Sequence, residues 1–105
     1  MSTVTLFHGT TKENYEMIKK DGFLHAPVYM TPNKTTAEDY AANNSANYAV
    51  FEVDVEYSEL EYDSECVCSH SVEESLDAGS VYVDRNVCIA RAIVTHYNDY
   101  CETEQ

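Results

Sequence analysis

The sequence predicts a mixed α+β domain in which strands and helices alternate at first and strands predominate afterwards. Three observations support this class. The run Val4 to Phe7 is β-prone, residues at helical spacing follow it, and residues 50–57 (VFEVDVEY) alternate between apolar and acidic side chains. With 105 residues, of which 44% are hydrophobic and 24% charged, the chain is expected to form one domain spanning residues 1–105.

The first predicted strand, Val4 to Phe7, ends where Gly9 interrupts the β-prone run. A helix follows, with Thr10 or Thr11 as its cap and with apolar residues at helical spacing. Gly22 ends this helix, because glycine readily adopts the left-handed conformation found at helix C-termini. The chain therefore begins with a strand-helix unit.

A second strand-helix unit is predicted after Pro27. Its strand runs from Val28 to Thr31, and Pro32-Asn33 forms the turn that follows. Residues 34–49 then predict a helix with Thr35 or Thr36 as its cap. The residues of this helix expected to face inward are Ala37, Tyr40 and Ala41.

The second half of the chain is predicted to be mostly strands. Its polar stretch, residues 58–71, is compatible with either a strand or a loop, and the last five residues are expected to fray. The one helix predicted in this half is again expected to end at a glycine. The predicted elements are a strand over residues 50–57, a helix over residues 72–76 that ends near Gly79, and strands over residues 80–84 and 87–97.

The net charge of -13 limits the partners to be expected. Such a chain repels phosphate backbones and anionic lipid surfaces, so direct binding to nucleic acid or to a membrane is disfavoured. A basic protein partner is favoured, although the acidity also serves simply to keep a small protein soluble. No signal peptide or membrane-spanning run is seen, so a soluble cytoplasmic protein is expected, while the oligomeric state stays open.

The four cysteines are expected to be reduced, because nothing in the sequence directs the chain to an oxidising compartment. Cys66-x-Cys68-x-His70 offers three ligand types, but its spacing matches no common zinc pattern and no second ligand pair follows. No metal site is therefore predicted.

Two short segments carry a resemblance to a known family. Phe7-His8-Gly9-Thr10 closes the first strand, and VYMTPNKTTAEDYA (residues 28–41) contains Tyr29, Thr35 and Tyr40 in order. Together they resemble the ADP-ribosyltransferase fold family, in the branch of poly(ADP-ribose) polymerases and diphtheria-type toxins. The resemblance covers about the first half of the chain. It implies a minimal split β-sheet with two to three short helices and NAD as the substrate.

The resemblance also implies roles for the first segment. His8 would contact the adenosine ribose of NAD, and the backbone of Gly9 would hold the nicotinamide amide. Glycine suits close approach of a ligand to the main chain because it has no Cβ. Thr10 belongs to the same cofactor-binding segment. The structural alternative is a histidine at the end of a strand, followed by a glycine that stops it.

In the second segment, the resemblance implies that Tyr29 stacks on the nicotinamide ring and Tyr40 closes the other side. Thr35 stands where the family has a serine whose hydroxyl bonds the amide. Stacking contributes on the order of 1 kcal/mol for an aromatic pair, so two tyrosines would orient the ring. The structural alternatives are core aromatics and a helix cap.

The glutamate of the polymerase branch has no counterpart in this chain, where Gly79 or Ser80 takes its place. Asp77 is the nearest acid, so the catalytic candidates are His8, Tyr29 and Asp77. This departure disfavours polymer synthesis and leaves transfer of one ADP-ribose unit to a protein as the implied activity. RNA 2'-phosphotransferases share the fold and lack the glutamate, but they need basic residues that are scarce here.

The acidic stretch of residues 51–66 predicts a function of another class. Same-face residues of a strand lie about 6.6 to 6.8 Å apart, which is comparable with phosphates along an extended nucleic acid. The chain would then be a non-enzymatic inhibitor that mimics nucleic acid and binds a basic protein, as suits a viral protein in a host cell. The alternative is an ordinary solvent face. The two predicted rows are Glu52, Asp54 and Glu56, and then Glu59, Glu61, Asp63 and Glu65.

Overall fold

The computed structural model describes residues 2–44, 47–64 and 69–98, and over these residues the chain has an α+β fold, as predicted. No helix in these ranges is long and apolar enough to cross a membrane. In chain order the elements are β1 (Thr3–Thr11), α1 (Lys12–Asp21), β2 (Phe23–Leu24), β3 (Val28–Met30), α2 (Lys34–Asn44), β4 (Asn47–Glu56), a 3₁₀ turn (Tyr57–Glu59), β5 (Glu61–Tyr62), α3 (Val72–Ala78), β6 (Val81–Val83), β7 (Val87–Cys88) and β8 (Ile93–Asn98).

The largest sheet has the strand order β1-β4-β8 and is antiparallel. Strand β1 pairs with β4 along its whole length, from Thr3 opposite Glu56 to Thr11 opposite Tyr48. Alternate residues of β4 point to one face and are buried there, which explains why residues 50–57 alternate in polarity.

A second antiparallel sheet has the order β3-β6-β5, and β2 pairs with β7 in a two-stranded ribbon. The two three-stranded sheets meet at one bridge, where Phe7 of β1 and Thr31 exchange backbone hydrogen bonds of 2.8 and 2.9 Å. Thr31 directly follows β3, and within the described ranges β1 and β3 form no further backbone pairing beyond this bridge. The split β-sheet expected from the resemblance is therefore compatible with the observed topology.

Helices α1 and α2 cover opposite faces of the largest sheet. On one face, the Tyr15 ring of α1 lies 5.7 Å from the ring of Phe51, whose cross-strand partner is His8. On the other face, Ala37 and Ala41 of α2 lie against Gly9. The arrangement follows from the strand period, because consecutive residues of β1 point to opposite faces.

The predicted helix ends are partly confirmed. Thr11 is the N-cap of α1, and its hydroxyl accepts a hydrogen bond of 3.2 Å from the Asn14 amide. Gly22 and Gly79 follow α1 and α3 with φ of 84° and 98°, the left-handed conformation expected of C-terminal glycines.

Two predictions about β1 and α2 were wrong. Strand β1 continues through Gly9 to Thr11, because Gly9 pairs with Val50 and needs no special backbone angle. Helix α2 begins at Lys34, so neither Thr35 nor Thr36 is its cap, and the carbonyl of Asn33 already accepts the first helical hydrogen bond.

The predicted extent of two later elements was also wrong. Residues 47–49 are strand rather than helix, because they pair with the end of β1 and with β8. Residues 87–97 form two strands instead of one, and a turn closed by a 3.0 Å bond from the Ala92 amide to the Ile89 carbonyl separates them. The turn is required because β7 pairs with β2 whereas β8 pairs with β4.

Candidate functional site

His8 lies on β1, one residue beyond the bridge that joins the two sheets. Its Nδ1 is 2.8 Å from the backbone carbonyl of Tyr29. A carbonyl can only accept a hydrogen bond, so Nδ1 carries the proton and Nε2 keeps a lone pair. Burial lowers the pKa of His8 more than this bond raises it, so the ring is neutral near pH 7. His8 thus presents a fixed, neutral hydrogen-bond acceptor.

A cavity of about 220 Å³ lies between β1, α1 and the start of β3. His8 and Thr10 line it, together with Asp21 and His25, whose Oδ2 and Nε2 atoms are 2.9 Å apart. Small-molecule sites usually have volumes of about 300 to 1,000 Å³. The cavity therefore fits a sugar-sized part of a ligand, and a whole dinucleotide would extend outside it.

Gly9 has a packing role that the sequence did not reveal. A Cβ at this position would lie 2.2 Å from the carbonyl oxygen of Ala37, so only glycine permits the observed approach of α2. The backbone N–H and C=O of Phe7 point away from β4, because they bond to Thr31. Backbone groups two residues apart in a strand point the same way, so those of Gly9 also point away from β4. No other described strand pairs with Gly9 on that side, although α2 buries this residue.

Tyr29 reaches His8 through its main chain rather than its ring. The neighbouring Val28 and Met30 are buried, whereas Tyr29 is 44% exposed and therefore points to the opposite side of β3. Its ring centroid is 5.2 Å from that of Tyr82, the residue paired with it on β6. The aromatic character of Tyr29 is thus used in a cross-strand pair.

Thr35 and Tyr40 lie on α2, which covers the face of β1 opposite to His8. Thr35 is exposed, and Tyr40 is 65% exposed rather than directed inward as predicted. Neither residue lines the cavity beside His8. The structure therefore brings together His8, Thr10 and the main chain of Tyr29, and it places Thr35 and Tyr40 elsewhere.

Asp77, the predicted catalytic acid, is exposed on α3 and lines a separate cavity of about 630 Å³. Ser80, like Gly79, is one of the two residues that the resemblance predicts at the position of the glutamate. Its hydroxyl donates a 2.7 Å hydrogen bond to Oδ2 of Asp63. The Asp63 carboxylate is therefore hydrogen-bonded to one of these two residues. Asp21 is the acid that lines the cavity beside His8.

The burial of Asp63 was not predicted from the sequence. This residue is 2% exposed, and it belongs to a polar cluster with Ser69 and Ser75 beneath α3. The sequence placed it in an exposed acidic row. The pairing of β5 with β6 places residue 63 opposite Ser80 and would have identified it. This pairing is not visible in the sequence.

The first acidic row is present as predicted. One face of β4 carries the side chains of Glu52, Asp54 and Glu56. Helix α2 covers the same face near the start of β4, and these three residues lie beyond the helix. The hydroxyl of Thr5 donates a 2.6 Å hydrogen bond to Oδ1 of Asp54. The row therefore consists of three acidic residues on one face, of which Asp54 is held by a hydrogen bond.

The second acidic row does not form as predicted. Glu59 lies in the 3₁₀ turn and forms an ion pair with Arg85, while Asp63 is buried. Glu65 lies outside the described residues. Burial and pairing remove two of the four carboxylates from any common surface.

The described residues contain no group of three or more His, Cys, Asp or Glu side chains arranged to hold a metal ion. Cys66, Cys68 and Cys101 lie outside the described residues, so the motif Cys66-x-Cys68-x-His70 is not tested. Cys88 is exposed and is not in a disulfide bond.

No protein family, curated protein or solved structure matches this chain. Its functional assignment therefore depends on the residues and the geometry described above.

Proposed function

We propose that the protein is a minimal ADP-ribosyltransferase-like domain that binds NAD and transfers one ADP-ribose unit to a basic protein target in the cytoplasm. One observation carries the proposal. The segment His8-Gly9-Thr10 lies directly beyond the bridge between the two three-stranded sheets, where β1 and β3 form no further backbone pairing among the described residues. This is the place in a split sheet where a ligand can contact the edge of one strand.

The chemistry of the segment agrees with a sugar ligand. The neutral Nε2 atom of His8 can accept a hydrogen bond from a ribose hydroxyl, and Thr10 lines the same cavity. The backbone groups of Gly9 point away from β4 and match the donor and acceptor of a carboxamide. Because Thr35 and Tyr40 lie on the other face, the proposal assigns the binding to His8, Gly9, Thr10 and Tyr29.

NAD binding is tested by titrating the protein with NAD in a calorimeter, and transfer is tested with labelled NAD and cell extract. We expect measurable binding that His8→Gln weakens about tenfold, because one hydrogen bond to the sugar is lost. His70→Gln is the matched control, since His70 is exposed and does not line the cavity. The absence of binding, NAD hydrolysis and label transfer would together reject the proposal.

The acid that supports transfer is tested separately. Asp77→Asn removes one carboxylate from the separate cavity. Asp21→Asn removes one from the cavity beside His8. If Asp77 is catalytic, Asp77→Asn abolishes label transfer and leaves NAD affinity unchanged. Transfer that survives Asp77→Asn and is lost in Asp21→Asn assigns the acid to the cavity beside His8.

A second candidate function is non-enzymatic inhibition of a basic nucleic-acid-binding protein. It is favoured by the row of Glu52, Asp54 and Glu56 on one face of β4, in which Asp54 is exposed and the two glutamates are half-buried. Carboxylates held at a regular spacing can replace phosphates on a basic surface, and such an interaction weakens with added salt.

This candidate is tested by competition with duplex DNA for core histones as the basic probe. We expect the protein to displace DNA, and Glu52→Lys with Asp54→Lys to weaken the competition. Glu13→Lys with Glu16→Lys on α1 makes the same change in net charge at a distant exposed site. Equal losses in both variants would show that net charge alone is responsible and would exclude the row as a binding surface.

A further inference from the structure

The separate cavity of about 630 Å³ that contains Asp77 is an open groove on the side of the molecule formed by α3, the 3₁₀ turn and the start of β1. Its floor is apolar, and the side chains that form it come from four different elements and connections. We name this surface the α3 groove. The apolar floor consists of Val4, Pro32, Tyr57 and Leu76.

The rim of the α3 groove is acidic. Glu73, Glu74 and Asp77 are all exposed, and all three belong to α3. The Tyr57 hydroxyl bonds to the Glu73 carboxylate across the floor, which lowers the pKa of Glu73 and raises the pKa of Tyr57. Glu73 therefore stays ionised well below neutral pH. Glu74 is also held in place, because its Oε1 accepts a 2.8 Å bond from the His70 amide.

The remaining charges on the protein do not neutralise this rim. Arg85 forms an ion pair with Glu59, and the whole chain carries a net charge of -13. Among the residues that the structure describes, no lysine or arginine lines the groove. A ligand that covers the apolar floor must therefore bring its own positive charge to the rim.

We propose that the α3 groove binds a protein segment in which an apolar side chain is flanked by lysine or arginine. The apolar side chain covers the floor and the cations meet the rim carboxylates. A nucleic acid or an anionic lipid has the wrong charge for this surface. The groove shares no residue with the cavity beside His8 and lies on different elements from the acidic row of β4. It includes Asp77, the predicted catalytic acid, but binding of such a segment requires neither NAD nor transfer, so failure of this inference is distinguishable from failure of either proposed function.

The test uses a fluorescent peptide of alternating lysine and leucine residues as the probe, in the absence of NAD. We expect it to bind more tightly than a peptide of lysines alone, because only the first can cover the apolar floor. The double variant Glu73→Gln, Asp77→Asn is expected to weaken binding about three- to tenfold through loss of two exposed charge interactions. Gln at position 73 still accepts a bond from Tyr57.

The matched control is Glu13→Gln with Glu16→Gln, which removes the same charge from exposed positions on α1. We expect it to leave binding of the alternating peptide nearly unchanged. Equal weakening by both double variants would overturn the proposal, as would absence of binding at about 1 mM peptide, which corresponds to roughly -4 kcal/mol.

A direct measurement on the unmutated protein keeps the test independent of folding defects. Methyl NMR signals of Val4 and Leu76 are expected to shift when the alternating peptide is added, because both side chains form the floor. Val50 lies beneath α2 on the other face of the sheet and should not shift. Shifts at Val50 without shifts at Val4 and Leu76 would place the peptide elsewhere and contradict the proposal.

Discussion

At Gly9 the main chain of β1 lies so close to α2 that a single methyl group has no room. The atom it would meet is the backbone oxygen of Ala37, which cannot rotate away as a side chain can. The helix and the strand are therefore in contact through glycine, and the position of α2 depends on this residue.

Gly9→Ala is expected to destabilise the protein by about 1 to 3 kcal/mol, because the added Cβ forces α2 away from the sheet. The free energy of unfolding is measured in urea. Ala90→Ser is a suitable control, since it also adds one atom but at an exposed turn. A Gly9→Ala variant as stable as the parent would show that α2 does not need the observed approach.

His8 links stability to pH because its folded-state pKa is lowered. Below the ordinary histidine pKa of 6.5 the unfolded chain takes up a proton that the folded chain does not, so the free energy of unfolding falls as pH falls. Between pH 7.5 and 5.5 we expect a loss of up to about 1 kcal/mol relative to His8→Gln. Urea unfolding of both proteins at the two pH values measures it, and parallel pH profiles would contradict it.

At the scale of the elements, α3 is attached to β5 by a buried hydroxyl. Ser75 is fully buried, and its Oγ accepts a 2.6 Å hydrogen bond from the Asp63 amide. A helix of seven residues has little stability by itself, so contacts of this kind hold it in place.

Ser75→Ala is expected to cost about 1 to 3 kcal/mol, because the buried Asp63 amide loses its acceptor. Ser58→Ala, at an exposed position of the 3₁₀ turn, should change stability by less than about 0.5 kcal/mol. Hydrogen exchange adds a local readout, since the Asp63 amide should exchange faster in Ser75→Ala. Unchanged exchange would mean that this bond does not protect the amide.

At the scale of the whole molecule, the net charge of -13 acts against compactness. Acidic side chains occupy the outer face of β4 and the rim of the α3 groove, and they repel one another. Salt shortens the range of this repulsion from about 30 Å at 0.01 M to about 3 Å at 1 M.

Raising sodium chloride from 0.01 to 0.5 M is therefore expected to stabilise the protein by about 1 kcal/mol, measured by thermal unfolding. The variant Glu13→Lys with Glu16→Lys carries less negative charge and should gain less from salt. A stability that is independent of salt, or that falls with it, would show that specific ion pairs outweigh the general repulsion.

The local features of this chain could be predicted because they depend on neighbouring residues. The Thr11 cap, the helix ends at Gly22 and Gly79, and the alternation of β4 all follow from the chemistry of a few consecutive positions. The order of His8, Gly9 and Tyr29 likewise drew attention to β1 and β3, which the structure places side by side at one bridge.

The sequence by itself thus determined the α+β class, most helix ends and the acidic character of one sheet face. Only the tertiary structure decided that Gly9 serves the packing of α2, that Tyr40 lies outside and that Asp63 lies inside. The physical reason is that these three outcomes depend on strand pairing and helix packing between residues far apart in the chain. Such contacts leave no periodic pattern among adjacent residues.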